Sequence, residues 1–149
     1  EKIKLFTKMD LAKKVVDKMK NGDAFSKWLG IEVLEITASF CKLKLKVREE
    51  MTNGFKIAHG GITYSLADSC LAFAANADGL QAVSIETSIS HTKKVTSGDI
   101  LTATSKQINI SSKTALYYIT ITNQDNLEVA HFKGTVFRTE KEWFPKNKL

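Results

Sequence analysis

The sequence has few of the residues that mark unusual classes of protein. Only one of its 149 residues is proline and eight are glycine, so it is neither collagen-like nor of low complexity. Its two cysteines, Cys41 and Cys70, lie far apart and match no cysteine or histidine spacing typical of a metal site. Since no disulfide framework can be recognised, we expect the protein in the reducing cytoplasm.

A long uncharged segment is also missing. The least charged stretch, residues 57–77, carries Asp68 in its middle, and lysines interrupt the apolar residues of the first 20 positions. We therefore expect no membrane-spanning segment, no signal peptide and no membrane partner.

Arginine is scarce in this basic sequence. The formal net charge is +6, yet only Arg48 and Arg138 among the 22 basic residues are arginine. A basic surface suits an anionic partner, but proteins that read nucleic acid rely on arginine side chains and on interleaved aromatic residues. The charge therefore favours a phosphorylated small molecule, and we expect no nucleic-acid partner.

The length and the hydrophobic pattern indicate one domain covering residues 1–149. Apolar residues at helical spacing predict an amphipathic helix at residues 5–20, within an N-terminal lead-in of residues 1–24, and a short helical turn at residues 25–29. Residues 60–76 predict a long helix that is apolar on nearly all sides and is therefore buried.

Alternation of apolar and polar residues predicts the strands. We expect a half-buried antiparallel strand within residues 31–47, a loose tail at residues 139–149, and four further strands after the buried helix, at residues 83–92, 100–109, 116–122 and 128–138. One buried helix against about five strands predicts a two-layer α+β domain. The remaining face or edge of the sheet is expected to meet a second subunit, so we expect an oligomer.

A histidine followed by two glycines opens the buried helix. These residues are His59, Gly60 and Gly61. The first N–H groups of a helix have no internal partner and favour negative charge, and glycine lets a ligand approach them closely. Such a turn suits a phosphate or an oxyanion. On the glycine pair alone, however, a tight turn without a ligand is the simpler explanation.

Asp68 is the only acidic residue between Glu50 and Asp78, and it lies in the middle of the buried helix. At about 100° per residue it points away from the core face of that helix, towards small neighbours that would leave a slot beside its carboxylate. An unpaired carboxylate in such surroundings is costly unless it is solvated or used. Asp68 is therefore a candidate catalytic residue, with an ordinary solvent-exposed aspartate as the alternative.

The order and spacing of several motifs carry a resemblance to a known family. Asn53 precedes His59-Gly60-Gly61 by six residues, Leu66-Ala67-Asp68-Ser69 follows on the helix, and Val83-Ser84-Ile85-Glu86 and Ser97-Gly98-Asp99 follow in the strands. This arrangement resembles the signature of the hotdog-fold acyl-CoA thioesterases, most closely the phenylacetic-acid-degradation (PaaI-type) family.

The resemblance implies a hotdog fold, in which an antiparallel sheet wraps around one long buried helix. It implies hydrolysis of acyl-CoA thioesters to the free acid and coenzyme A, by a homodimer or homotetramer without a metal or a cofactor, coenzyme A being part of the substrate. The acyl group is expected to resemble that of phenylacetyl- or hydroxyphenylacetyl-CoA. The alternatives are a non-catalytic acyl-CoA binding module and a hydratase on the same fold.

The family also implies a catalytic role for each matching residue. Asp68 would act as general base or as nucleophile, and the Gly60 N–H would polarise the thioester carbonyl. Asn53 would position water or the carboxylate across the dimer interface. His59 would support the turn or form a hydrogen bond near the thioester, and Ser84 would be an auxiliary polar group.

The same resemblance implies a set of residues that bind the substrate. Gly61 and Val83 would contact it, and Lys93, Lys94 and Lys113 would bind the phosphates of coenzyme A. Each lysine taken singly is also explained as a plain surface charge.

The chemistry agrees with this small set of groups. A thiol of pKa about 8.5 leaves as a thiolate without a strong general acid, so one carboxylate and one oxyanion donor are sufficient. Cys70 is expected to be a buried, inert thiol because it lies on the apolar face of the helix. His59, His91 and His131 have no zinc-ligand spacing.

Overall fold

The core of the fold is one antiparallel sheet. The computed structural model describes residues 7–145. Its strands are β1 (Glu32–Ile36), β2 (Cys41–Lys46), β3 (Leu80–His91), β4 (Ile100–Ile110), β5 (Thr114–Thr122) and β6 (Glu128–Glu142). They form a six-stranded sheet in the order β1-β2-β4-β5-β6-β3, and every neighbouring pair is antiparallel. This is the predicted α+β arrangement, with β1 and β3 as the two edges.

Within residues 7–145, three α-helices and one 3-10 turn accompany the sheet. They are α1 (Lys8–Gly22), α2 (Ala24–Leu29), the 3-10 turn Glu49–Met51 and α3 (Gly60–Asn76). The bounds of α3 are those predicted, and it packs on β2 to β6. Leu66, Ala67 and Cys70 are fully buried, because small and apolar residues cover most of the surface of this helix.

A glycine in β6 lets α3 lie close to the sheet. A Cβ atom on Gly134 would stand only 2.4 Å from a methyl group of Leu71, a distance that no side chain tolerates without movement. The Tyr64 and Phe132 rings meet edge-on beside this contact, with centroids 5.5 Å apart. The position of α3 over β6 is therefore fixed by packing.

The helix predicted at residues 5–20 is present as α1, with different ends. It begins after Thr7, whose side chain accepts a hydrogen bond from the Asp10 N–H while the Asp10 carboxylate accepts from the Thr7 N–H, a capping box. Residues 5 and 6 lie outside the described part of the chain. The predicted short helical turn is α2.

Two predictions about the ends of the sheet were wrong. Residues 31–47 form the hairpin of β1 and β2, not a single strand, so the sheet has one strand more than expected. Residues 139–143 are not a loose tail: β6 runs to Glu142, and the Trp143 N–H donates to the Gly79 carbonyl at 2.9 Å. The charged residues of this segment look typical of a tail, but the partners that hold it lie far away in the sequence.

The edge strand β3 exposes apolar side chains. The exposed fractions of Val83 and Ile85 are 57% and 59%, far larger than those of buried strand residues. The open edge of a long strand carries unpaired N–H and C=O groups and favours pairing with another strand. The edge of β3 is therefore open to pairing with another strand.

Candidate active site

A cavity of about 390 Å³ opens at the N-terminal end of α3. The loop before α3, the first turn of the helix and the segment after β3 form its walls. The predicted residues that line it are Asn53, Gly60, Lys93 and Lys94. The fold thus brings together side chains from two parts of the sequence that are more than 30 residues apart.

His59 is the N-cap of α3. Its ring nitrogen Nδ1 accepts a hydrogen bond from the Gly61 N–H at 3.0 Å, and its carbonyl accepts from the Ile62 N–H at 2.8 Å. The Gly60 N–H, in contrast, has no hydrogen-bond partner among residues 7–145. A free N–H at the positive end of a helix is a ready donor for a ligand oxygen that carries negative charge.

The loop that carries Asn53 is closed by the asparagine itself. Its Oδ1 accepts hydrogen bonds from the N–H groups of Phe55 and Ile57, at 2.9 and 3.4 Å. The Ala58 N–H donates to the Val95 carbonyl at 2.7 Å and ties the loop to the segment after β3. Asn53 lines the cavity, and because its Oδ1 is occupied, the side-chain Nδ2 is the group that remains as a donor.

Lys93 and Lys94 make the mouth of the cavity basic. Both side chains are exposed, and in the described part of the chain neither forms an ion pair with a carboxylate. The positive end of α3 adds to their field. The mouth therefore favours an anionic ligand.

Asp68 lies outside this cavity, on the same helix. It is half-buried, and burial raises the pKa of its carboxyl above the ordinary value. No hydrogen bond or ion pair of Asp68 is found within residues 7–145. An unpaired, partly desolvated carboxylate is typical of a catalytic group. It stands eight residues after Gly60, which is about 12 Å along the helix axis.

The remaining predicted residues are not brought to the cavity of their own chain. Ser84 is exposed on β3 opposite Val136, seven residues and therefore about 23 Å from His91 at the cavity. Val83 lies opposite Phe137 and faces away from α3, since adjacent strand residues point to opposite faces. Lys113 lies in the turn between β4 and β5, where its Nζ is 3.1 Å from a carboxylate oxygen of Glu140.

The three histidines do not form a cluster. His59 caps α3, His91 contacts Thr63, and His131 is 3.3 Å from Glu128. Among the described residues, no group of histidine, cysteine and acidic side chains could hold a metal ion. Cys70 is buried, as predicted, with its thiol towards the Cys41 carbonyl, 3.4 Å away, and burial raises its pKa well above the usual value.

His91 and Thr63 are cavity residues that the sequence did not reveal as site candidates. His91 lies at the end of β3, and its Nε2 is 2.7 Å from the hydroxyl of Thr63 on the first turn of α3. The available signal was the alternation along β3, which turns every second side chain towards the helix. That signal does not say which residue of α3 lies opposite.

Comparison with known proteins places these features in a family. Residues 55–130 match the model of the thioesterase superfamily. The chain is 35% identical over 138 residues to a proposed esterase of Archaeoglobus fulgidus, covering 93% of this chain and 90% of that protein. It is 37% identical over 120 residues to the acyl-coenzyme A thioesterase PaaI of Escherichia coli, covering 80% of this chain and 86% of that enzyme.

Solved structures agree with the sequence relatives. The E. coli PaaI protein of the phenylacetic acid degradation operon superposes with a TM-score of 0.89 at 33% identity, covering 91% of this chain and 99% of that one. A hypothetical thioesterase of Streptococcus pneumoniae, solved with coenzyme A, gives a TM-score of 0.79 at 26% identity, covering 84% of this chain and 98% of that one. The likeness to PaaI confirms the predicted hotdog fold. Within residues 7–145, no helix is long and apolar enough to cross a bilayer.

Proposed function

This chain belongs to the thioesterase superfamily and is an acyl-CoA thioesterase of the PaaI type, and we propose that the Gly60 N–H and the Asp68 carboxylate carry out its reaction. One observation above all supports these roles. The helix α3 keeps both a backbone donor and a half-buried carboxylate without partners in the described part of the chain. An oxyanion donor and a base or nucleophile are the two groups that hydrolysis of a thioester requires.

The spacing of the two groups supports a site that is shared between two copies of the chain. About 12 Å of helix separates Gly60 from Asp68, and one thioester carbonyl cannot contact both at hydrogen-bonding distance. We therefore propose that two chains pair through the open edge of β3, so that each site combines the Gly60 end of one chain with Asp68 of the other. Ser84, on the same strand, would then approach the site of the partner as an auxiliary polar group.

In the proposed reaction the thioester oxygen accepts a hydrogen bond from the Gly60 N–H, which strengthens as negative charge develops. Asn53 holds a water molecule through its free Nδ2. The oxygen of that water attacks the carbonyl carbon while Asp68 takes one of its protons. The C–S bond then breaks and releases a thiolate and the acid. If Asp68 attacks the carbonyl carbon directly, the C–S bond breaks to release the thiolate and leaves a mixed anhydride, which water then hydrolyses to the acid and the free Asp68 carboxylate. The sequence left both courses open.

Coenzyme A explains the basic mouth of the cavity. Its diphosphate and 3′-phosphate are anionic, and we propose that Lys93 and Lys94 bind them. The coenzyme A in the S. pneumoniae relative supports this class of substrate. Lys113 is a weaker candidate because it is paired with Glu140 and lies in the turn between β4 and β5, away from the cavity.

The acyl group is proposed to be aromatic, of the phenylacetyl or hydroxyphenylacetyl kind. The support is the relation to PaaI, whose name and operon refer to phenylacetic acid degradation. Gly61 and Val83 stay predictions as substrate contacts, and so does the cytoplasmic location.

Release of the coenzyme A thiol from a panel of acyl-CoAs tests the proposed function. We expect steady-state release from arylacetyl-CoAs, with higher kcat/KM than for acetyl-CoA, and its loss in the Asp68→Asn variant. Binding without release by the wild-type protein would support the binding module. Addition of water to an enoyl-CoA without thiol release would support the hydratase. Either outcome would overturn the thioesterase mechanism.

A further inference from the structure

His91 lies directly over the first residue of α3. It ends β3 opposite Ala130, on the side of the sheet that carries the helix. A Cβ atom added to Gly60 would stand 3.2 Å from the ring carbon Cε1 of His91 and 3.5 Å from its Nε2. The imidazole ring therefore fills the space that a side chain at position 60 would enter, directly beside the Gly60 backbone.

The same ring begins a short chain of hydrogen bonds that returns to Gly60. The Thr63 hydroxyl donates to the Gly60 carbonyl at 3.0 Å, and its oxygen is 2.7 Å from Nε2 of His91. A hydroxyl has one proton. Because that one proton serves the carbonyl, both hydrogen bonds form together only when Nε2 of His91 carries a proton and donates to Thr63. In this chain the imidazole N–H of His91 donates to the Thr63 hydroxyl, which in turn donates to the Gly60 carbonyl.

Two separate contacts thus hold the residue that offers the free N–H. His59 caps the helix from the loop side through the Gly61 N–H, while His91 and Thr63 hold it from the end of the neighbouring strand. Thr63 is 3% exposed, so its hydroxyl depends on these two partners. A donor to an oxyanion works only if it is held in the productive direction, because small displacements weaken it steeply.

We propose that His91 is a positioning residue: through Thr63 and by ring contact it holds Gly60 so that its N–H faces the thioester oxygen. This inference rests on the proposed oxyanion role of Gly60. The imidazole acts through other groups and supplies no proton to the reaction. Because positioning matters most where charge develops, its loss should lower kcat and leave KM nearly unchanged.

Four variants separate the hydrogen bond from the ring contact. His91→Phe keeps a ring over Gly60 but removes the donor, and His91→Gln keeps an N–H at about the position of Nε2. Thr63→Val removes the hydroxyl, whereas Thr63→Ser keeps it. Thr92→Val is the matched control, since its hydroxyl donates to the Glu128 carbonyl at 3.1 Å and not to α3.

We expect kcat to fall about tenfold in His91→Phe and in Thr63→Val, a smaller loss than removal of an oxyanion donor itself. His91→Gln, Thr63→Ser and Thr92→Val should stay within about threefold of the wild type. The double variant of His91→Phe and Thr63→Val should be no worse than either single one, because both break one hydrogen-bond chain. Unchanged kcat in the two single variants, or strictly additive losses, would overturn the proposal.

Amide hydrogen exchange provides a readout that does not depend on catalysis. His91→Phe and Thr63→Val should speed exchange in the first turn of α3, while Thr92→Val should not. Exchange as slow as in the wild type would overturn the anchoring of α3 by His91. A wild-type protein that releases no thiol would overturn the proposed function instead, and the exchange rates would still decide whether His91 anchors the first turn of α3.

Discussion

The two ends of α3 treat their polar groups in opposite ways. At the N-terminal end Gly60 lines a cavity, and its N–H has no hydrogen-bond partner within residues 7–145. At the C-terminal end Asn76 donates through Nδ2 to the carbonyls of Ala72 and Ala82, at 2.9 and 3.1 Å. Its Oδ1 accepts from the Ala82 N–H and the Trp143 indole N–H, at 2.9 and 2.8 Å. At the C-terminal end the polar groups of Asn76 are all hydrogen-bonded, whereas the Gly60 N–H at the N-terminal end has no partner in the described part of the chain.

The two aspartates of this region show the same contrast. Asp78, just after α3, is 2.8 Å from the Arg138 guanidinium and accepts a hydrogen bond from the Leu80 N–H at 3.1 Å. Asp68 has neither kind of partner in residues 7–145, and burial raises its pKa. Unpaired groups cost stability and are kept where a substrate uses them. We infer that the open half of α3 serves the reaction and the closed end serves stability.

Replacing Asp68 by asparagine should have the largest effect on the reaction. The amide keeps the shape of the side chain but is neither a base nor a nucleophile, so kcat should fall about 10²–10⁴-fold, while acyl-CoA still binds. A carboxyl whose pKa is raised by folding contributes stability below its unfolded pKa and loses it as the pH rises through the folded value. At neutral pH the variant should therefore melt at or above the wild-type temperature. More than a tenth of wild-type kcat would make Asp68 a bystander.

Replacing Asp78 by alanine should do the reverse. The change leaves Arg138, whose side chain is 10% exposed, without its partner, and breaking such a pair costs about 3 kcal/mol. For a chain of this length we expect Tm to fall by roughly 6–12 °C. Below the transition, kcat should stay close to that of the wild type. Loss of activity in a fully folded variant would contradict the division between the two parts of α3.

Removing the two lysines at the mouth should act on binding alone. In the double variant of Lys93→Ala and Lys94→Ala, KM should rise about tenfold and kcat should change little, because the phosphates are bound equally in the ground and transition states. The dependence of KM on salt should also weaken. Lys106→Ala is the control, with KM close to that of the wild type, because Lys106 is exposed on β4 and does not line the cavity. A fall in kcat at unchanged KM would show that Lys93 and Lys94 act elsewhere.

The pH dependence of kcat should report the burial of Asp68. Both mechanisms need the ionised carboxylate, so activity is lost as the pH falls through its pKa in the enzyme. Because burial raises that pKa, the acid limb should lie above the ordinary aspartate value of about 3.9. The residual activity of Asp68→Asn should lack this limb. A limb at or below the ordinary value would contradict the desolvated environment.

The features that could be predicted from the sequence are those that depend on residues close together in the chain. The bounds of α3 and the glycine turn followed from a 17-residue apolar pattern after His59. The spacing of Gly60 and Asp68 along that helix also follows from the sequence alone. Features that depend on distant contacts were missed: β6 runs past Arg138 and is followed by Trp143, whose indole reaches Asn76, 67 residues earlier.

The same limit applies to the site. The motif identified Asn53 and Gly60, and the cavity does bring them together with Lys93 and Lys94. The neighbourhood of His91 and Thr63 depends on how β3 crosses α3, which no local pattern encodes. Ser84 and Asp68 were predicted for one site, but they lie outside the cavity that Gly60 lines in the same chain. That they meet across a dimer interface is implied by the family resemblance and not by any local pattern of residues, and it stays a prediction.

The most direct test is to mix two inactive variants. Gly60→Pro removes the proposed N–H donor, and proline is compatible with the first position of a helix. Gly60→Ala is the control: its Cβ atom meets His91 in a similar way, but the N–H is kept, so this variant should retain more activity. Suppose that each site joins Gly60 of one chain to Asp68 of another. Co-refolding equal amounts of Gly60→Pro and Asp68→Asn then gives dimers of which half are mixed, and each mixed dimer has one intact site out of two. The mixture should therefore recover about a quarter of wild-type activity. A mixture no more active than the two variants apart would contradict the shared site.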